Sequence, residues 1–184
     1  PTLMPRLSPL LAALALLPAL LSADANRRSK DVAGAVCDRS PISLDLSPDK
    51  TLVAPANHTS GTVSLVQLAT GKVIYEIAVG RRPVDVAWWN ASTVLVSLLE
   101  DDAVAVLSWQ HNRLKLTRTI PVGDAPRGLA IVGPEASHPG TPGQKPPRAF
   151  VALSGHDAIA ELDVATGRVL RRFPTGGQPG WLTP

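Results

Sequence analysis

From residue 40 onward the chain is built of short apolar runs separated by turn residues. ISLDL, LVAPA, TVSLVQL and VIYEIAV follow one another, with Ser-Pro-Asp-Lys, His-Thr-Ser-Gly and Ala-Thr-Gly between them. The runs are rich in β-branched and aliphatic residues, and Gly, Asn, Asp, Ser and Pro fill the gaps. This pattern predicts β-strands joined by tight turns.

The strands come in sets of four, and the set repeats. SPISLDLSPDKTLVAPANHTSGTVSLVQLATGKVIYEIAVG aligns with RPVDVAWWNASTVLVSLLEDDAVAVLSWQHNRLKLTRTIPVG. A third unit opens APRGLAIVG and continues RAFVALSGHDAIAELDVATGRVLRRFPTG, and GQPGWLTP begins a fourth. Pro41, Pro83, Pro126 and Pro179 are equivalent, spaced 42, 43 and 53 residues apart. The last interval is longer because residues 134–147, PEASHPGTPGQKPP, are inserted. A period in the low forties with four strands per unit is that of a propeller blade.

Two in-phase signatures support the repeat. The third strand of each unit aligns without gaps, making Val63, Val104 and Ile159 equivalent, and likewise Val66, Leu107 and Leu162. Gly71, Asn112 and Gly167 mark the following hairpin, where positive φ is needed. Gly-x-x-Pro joins the units at Gly80–Pro83, Gly123–Pro126 and Gly176–Pro179. The proline opens an inner strand, where no ladder donor is required. Pro55 falls within a strand and predicts a bulge there.

The fold class is therefore all-β: a partial β-propeller of about three four-stranded antiparallel blades plus the start of a fourth. The blades cover about 40–80, 81–123 and 124–176, with a stub at 177–184. Unit two departs from the pattern where Trp88-Trp89-Asn90-Ala91 replaces the Ser-Pro-Asp turn.

Ser47-Pro48-Asp49-Lys50, Ala56-Asn57, Ser60-Gly61-Thr62-Val63-Ser64, Ala69-Thr70-Gly71 and Ala165-Thr166-Gly167 resemble the YVTN repeats of exported bacterial and archaeal propellers. The resemblance covers residues 40–184. It implies a ring completed by further blades, and its layout is similar to that of exported propellers that precede c-type cytochrome domains. More distantly it is similar to propeller lactonases and amine-dehydrogenase β chains.

The N-terminus fits export. Arg6 precedes the apolar run LSPLLAALALLPALL, and Ala23-Asp24-Ala25 supplies small residues at a cleavage position. Residues 1–25 are expected to be a signal peptide starting at Met4 and cleaved after Ala25; residues 26–39 form a lead-in. The expected location is periplasmic or extracellular, with membrane contact only through the signal peptide. Cys37 is the single cysteine, so no internal disulfide framework forms.

The formal net charge is +3, but the basic residues stand in isolated pairs without interleaved aromatics, so no nucleic-acid partner is expected. No C-x-x-C-H occurs and the four histidines lack ligand spacing; no cofactor or metal is expected in this segment.

Candidate site residues come from propeller geometry. The connections between units, and those between the second and third strands, share one face around the channel mouth. Arg82 and Arg127 would suit an anion; Asp101 and Asp102, beside Glu100, would suit a cation. Asn57 and Asp157 stand at the equivalent turns. The plainer reading is that all six are turn residues. The expected role is a non-catalytic scaffold that binds a protein, glycan or small molecule, or supports a haem domain encoded downstream. The alternatives are a lactonase-type hydrolase and a subunit of a periplasmic electron-transfer dehydrogenase. Asn57-His58-Thr59 and Asn90-Ala91-Ser92 match the glycosylation sequon by chance.

Overall fold

A computed structural model describes residues 38–133, 147–177 and 179–182. The export segment 1–25, Cys37 and nearly all of the inserted loop lie outside these residues. The described residues belong to a compact unit, Cys37–Pro184.

Twelve strands form three antiparallel sheets, each in sequence order. The first contains β1 (Pro41–Leu46), β2 (Leu52–Asn57), β3 (Thr62–Gln67) and β4 (Lys72–Ala78). The second contains β5 (Pro83–Asn90), β6 (Thr93–Leu98), β7 (Ala103–Gln110) and β8 (Arg113–Pro121). The third contains β9 (Pro126–Val132), β10 (Arg148–Leu153), β11 (Ala158–Asp163) and β12 (Arg168–Pro174). Pro41, Pro83 and Pro126 each begin an inner strand, as their missing N–H allows.

Inner strands lie side by side, with β1 against β5 and β5 against β9. Carboxylates tie them together. Asp45 Oδ2 accepts the Trp88 N–H at 2.8 Å, and Asp85 Oδ2 accepts the Leu129 N–H at 2.7 Å. Ser43 Oγ donates to Asp85 Oδ1 at 2.5 Å, so Asp85 bridges all three sheets. The segment after β12 continues the series: Gly128 donates its N–H to Gly180 O at 3.0 Å. A side chain at Gly128 would collide with the backbone of Trp181 and Leu182.

Strict alternation places one row of side chains on each side of every sheet. Between the first two sheets Ala54, Val63 and Leu65 meet Val86, Val94, Val96 and Leu107. Between the second and third, Leu95, Val104, Val106 and Ile120 meet Leu129, Val151 and Leu162. Full burial of such a side chain is worth about 1.5–3 kcal/mol. The seams thus hold the sheets in their fan.

The two outward faces of the fan differ. On β1 the alternate residues Ile42, Leu44 and Leu46 are all exposed, Leu44 at 64%. On the third sheet, the position equivalent to Leu65 and Val106 is occupied by Glu161. Its carboxylate is buried and receives Arg148 Nε at 2.6 Å and Arg171 Nε at 2.8 Å. Each guanidinium in turn lies over a phenylalanine ring, Phe150 and Phe173.

Two expectations change. Pro55 sits in β2 opposite Leu44 with no shift of register, and Val53↔Val66 and Ala56↔Val63 keep the same frame on its other side. The missing N–H is absorbed as a gap in the ladder, because proline's φ fits an extended strand. The irregularity of β1 lies instead between Pro41 and Ser43. Trp88-Trp89-Asn90, where a turn was expected to be degenerate, extends β5, and the hairpin closes later through Ser92 N–H to Asn90 Oδ1 at 2.8 Å.

Candidate functional site

The turns Asn57–Thr62, Leu98–Ala103 and Leu153–Ala158, together with the connections entering β5 and β9, gather on one end of the fan. Between the first two sheets they border an open cleft of about 450 Å3 lined by His58, Thr59, Ser60, Gly61, Gly80, Arg81, Arg82 and Glu100.

Most charged groups here already have partners. Arg81 donates its backbone N–H to Asp101 Oδ2 at 2.7 Å and its Nε to Asp101 Oδ1 at 2.6 Å. Its Nη2 reaches Glu100 O at 2.5 Å. Arg82 Nε pairs with Glu100 Oε1 at 3.0 Å, an exposed contact of small energetic weight. Asp102 Oδ1 accepts the Ala125 N–H at 3.1 Å. Arg127 Nε donates to Ser154 Oγ at 3.1 Å, and that hydroxyl donates to Ala125 O at 2.9 Å.

One device recurs. Asp101 accepts the Arg81 N–H, and in the next unit His156 Nδ1 accepts the Asp124 N–H at 3.0 Å. Both side chains stand at the same turn position and cap the connection entering their sheet. Glu100, Asp101 and Asp102 therefore do not converge on one point. Among the described residues no group of three His, Cys, Asp or Glu side chains is arranged to hold a metal.

The six sequence candidates separate accordingly. Arg82 lines the cavity wall. Arg127, Asp101 and Asp102 sit at the same end but are engaged with the loops. Asp157 is exposed in a left-handed turn conformation, φ 47°, and its carbonyl accepts the Thr175 N–H at 2.8 Å. Asn57 does not face the mouth. It is buried, and its amide donates to Thr62 Oγ1 at 3.0 Å and Ser64 Oγ at 2.9 Å; its sequon is sterically closed. Asp45 and Asp85 stand outside the turns, and their one sequence signal is an acid amid apolar neighbours in the L-D-L and V-D-V runs at the start of two units.

Backbone and side-chain hydrogen bonds from Arg81 hold the Asp101 carboxyl below its ordinary range. Arg148, then Arg171, do the same for Glu161. A carboxyl depressed by folding stabilises the fold above its unfolded pKa and loses that contribution as pH falls through the folded value. The unfolding midpoint is therefore expected to drop on acidification below about pH 4. Glu161→Gln should flatten that profile; an unchanged slope would mean the arginine clamp does not form.

No protein-family model matches this chain, and no curated protein does. Solved structures do. Hydrazine synthase from Kuenenia stuttgartiensis is 26% identical with a TM-score of 0.62, covering 78% of this chain and 38% of that one. A presumed 6-phosphogluconolactonase from Bacteroides fragilis is 21% identical, TM-score 0.62, covering 78% and 41%. A protein from Lactobacillus plantarum is 15% identical, TM-score 0.61, covering 78% and 44%. The last two show the fold alone. The matched part of this chain thus spans about four-tenths of these structures' length.

Proposed function

We propose that this partial β-propeller, with three four-stranded sheets and propeller-type neighbours, belongs to an exported YVTN-type protein and acts as a scaffold or binding module, its ligand or partner meeting the mouth between the first two sheets. One observation carries this reading: the mouth's charged side chains are committed to capping loops and to ion pairs. Such groups build a fixed, polar wall around a cavity of ligand size. A nucleophile paired with a base is not among the described mouth residues. The exported setting rests on Arg6, the apolar run after it and Ala23-Asp24-Ala25. A haem domain further along the same protein is the companion that the repeat's layout suggests.

The test uses the full-length protein and its Arg82→Ala and Arg127→Ala forms. Partners captured from the periplasmic or extracellular fluid by the parent are expected to be lost or weakened about tenfold by Arg82→Ala, the variant that strips the cavity wall. Hydrolysis of 6-phosphogluconolactone is expected to be absent from all three. Lactone turnover that vanishes in Arg82→Ala would overturn the scaffold reading in favour of a lactonase.

A further inference from the structure

The seam between the first and second sheets also opens at the end opposite the mouth, into a cavity of about 220 Å3. The β1–β2 turn forms one side of it and the β7–β8 hairpin the other. Trp88 and Trp109 are two of its walls. Trp109 is half-buried and meets Tyr75 edge-on, the ring centres 6.5 Å apart. Trp88 is 6% exposed, and its Nε1 is one of two buried side-chain polar atoms without a hydrogen-bond partner among the described residues.

The rim is polar. Asp49 accepts hydrogen bonds from Ser47 Oγ at 2.5 Å, the Thr51 N–H at 3.1 Å and Thr51 Oγ1 at 2.9 Å. Those bonds fix its carboxylate and hold it ionised, with Ser47 the leading cause. Gln67 Oε1 accepts from Thr70 Oγ1 at 2.9 Å, which turns its amide nitrogen into a spare donor. Asn112 crowns the hairpin at φ 55° and contributes a second carboxamide to the rim.

We propose that this seam binds one sugar ring of a neutral glycan, independently of the mouth. Indole walls suit the C–H face of a pyranose, and the rim supplies both donors and acceptors for hydroxyls. Asp49, the single ionisable group lining the cavity, disfavours an anion. Its lone pairs are largely taken up by Ser47 and Thr51, so what remains fits a hydroxyl donor better than a full counter-charge. The polar rim disfavours an acyl chain.

The experiment titrates the full-length protein with the methyl glycosides of glucose, galactose, mannose, fucose and N-acetylglucosamine, and with choline as the cationic rival. Tryptophan fluorescence and calorimetry report binding. At least one glycoside is expected to bind saturably with a Kd on the order of 1 mM. Trp109→Ala should weaken it by about tenfold or more. Asn112→Gly removes an exposed carboxamide and keeps a residue suited to φ 55°, so it should weaken binding while leaving the unfolding midpoint nearly in place. Arg82→Ala at the mouth should bind as the parent does, which keeps this site separate from that one. Failure of every glycoside to saturate, binding of choline alone, or parent-like affinity in both Trp109→Ala and Asn112→Gly would each overturn the assignment.

Discussion

Leu95→Ala is expected to lower the free energy of unfolding by about 2–5 kcal/mol, the range for truncating a well-packed core leucine. Leu95 is fully buried on β6 and packs in the seam with Val104, Val106, Leu129 and Val151. The seam joins two twisted sheets whose backbones are each fixed by their own ladders, so neither collapses easily into the space left behind. Urea denaturation reads the effect as a lower midpoint with an unchanged slope. Leu44→Ala serves as the contrast. It removes as many atoms, but from a 64% exposed position on β1, and should change the stability of this chain by less than about 0.5 kcal/mol. Equal effects at the two positions would mean that the seam is not where the sheets are held.

Gly61→Ala is expected to cost about 2–5 kcal/mol, the sum of two separate penalties. Gly61 closes the β2–β3 turn at φ +68°, a conformation that costs an alanine about 1–2 kcal/mol. The added Cβ would also stand 2.6 Å from the carbonyl oxygen of Gly80, an overlap that forces backbone movement worth roughly 1–3 kcal/mol. That movement is not local, because Gly61 O accepts the Val79 N–H at 2.9 Å and so anchors the end of β4. The corresponding turns carry Asp102 at φ 52° and Asp157 at φ 47°, since a short polar side chain tolerates this region. Asp157→Gly should accordingly stay within about 0.5 kcal/mol of the parent. Thermal melts of the two variants beside the parent separate a strained turn from a merely polar one.

These turns also show why the sequence says much about the fold and little about the site. The strands could be read because alternation and turn chemistry are local and the repeat supplies three copies of each. The gapless third-strand alignment makes Val63, Val104 and Ile159 equivalent, and they stand in β3 (Thr62–Gln67), β7 (Ala103–Gln110) and β11 (Ala158–Asp163). Pro55 was misread because a lost donor leaves either a bulge or a gap, and the choice depends on the neighbouring strands. The site was harder for a related reason. Asn57, Asp101 and His156 sit at turns where a polar residue signals the turn and nothing more. Whether such a side chain looks into the mouth, as Arg82 does, or back into the sheet, as Asn57 does, depends on twist and register. Asp85 is the extreme case. It bridges Ser43, 42 residues before it, and Leu129, 44 residues after it, which depends on how the three sheets pack side by side and is displayed by no single unit.

Glu161 raises the same point on the third sheet. Its two equivalents are apolar and fill seams, whereas here a carboxylate is clamped by Arg148 and Arg171. Burying a carboxylate is tolerable only with such partners.

We propose that this fan of three sheets is part of a closed ring, with the β1 face covered by another sheet in the full-length protein. The most direct test of ring closure is the accessibility of Leu44. Leu44→Cys is placed in a Cys37→Ser background and labelled with a maleimide, in this chain alone and in the full-length protein. The account predicts rapid labelling in the chain alone, where the position is 64% exposed, and strong protection in the full-length protein, regained on unfolding. Equally rapid labelling in both folded proteins would contradict ring closure over β1.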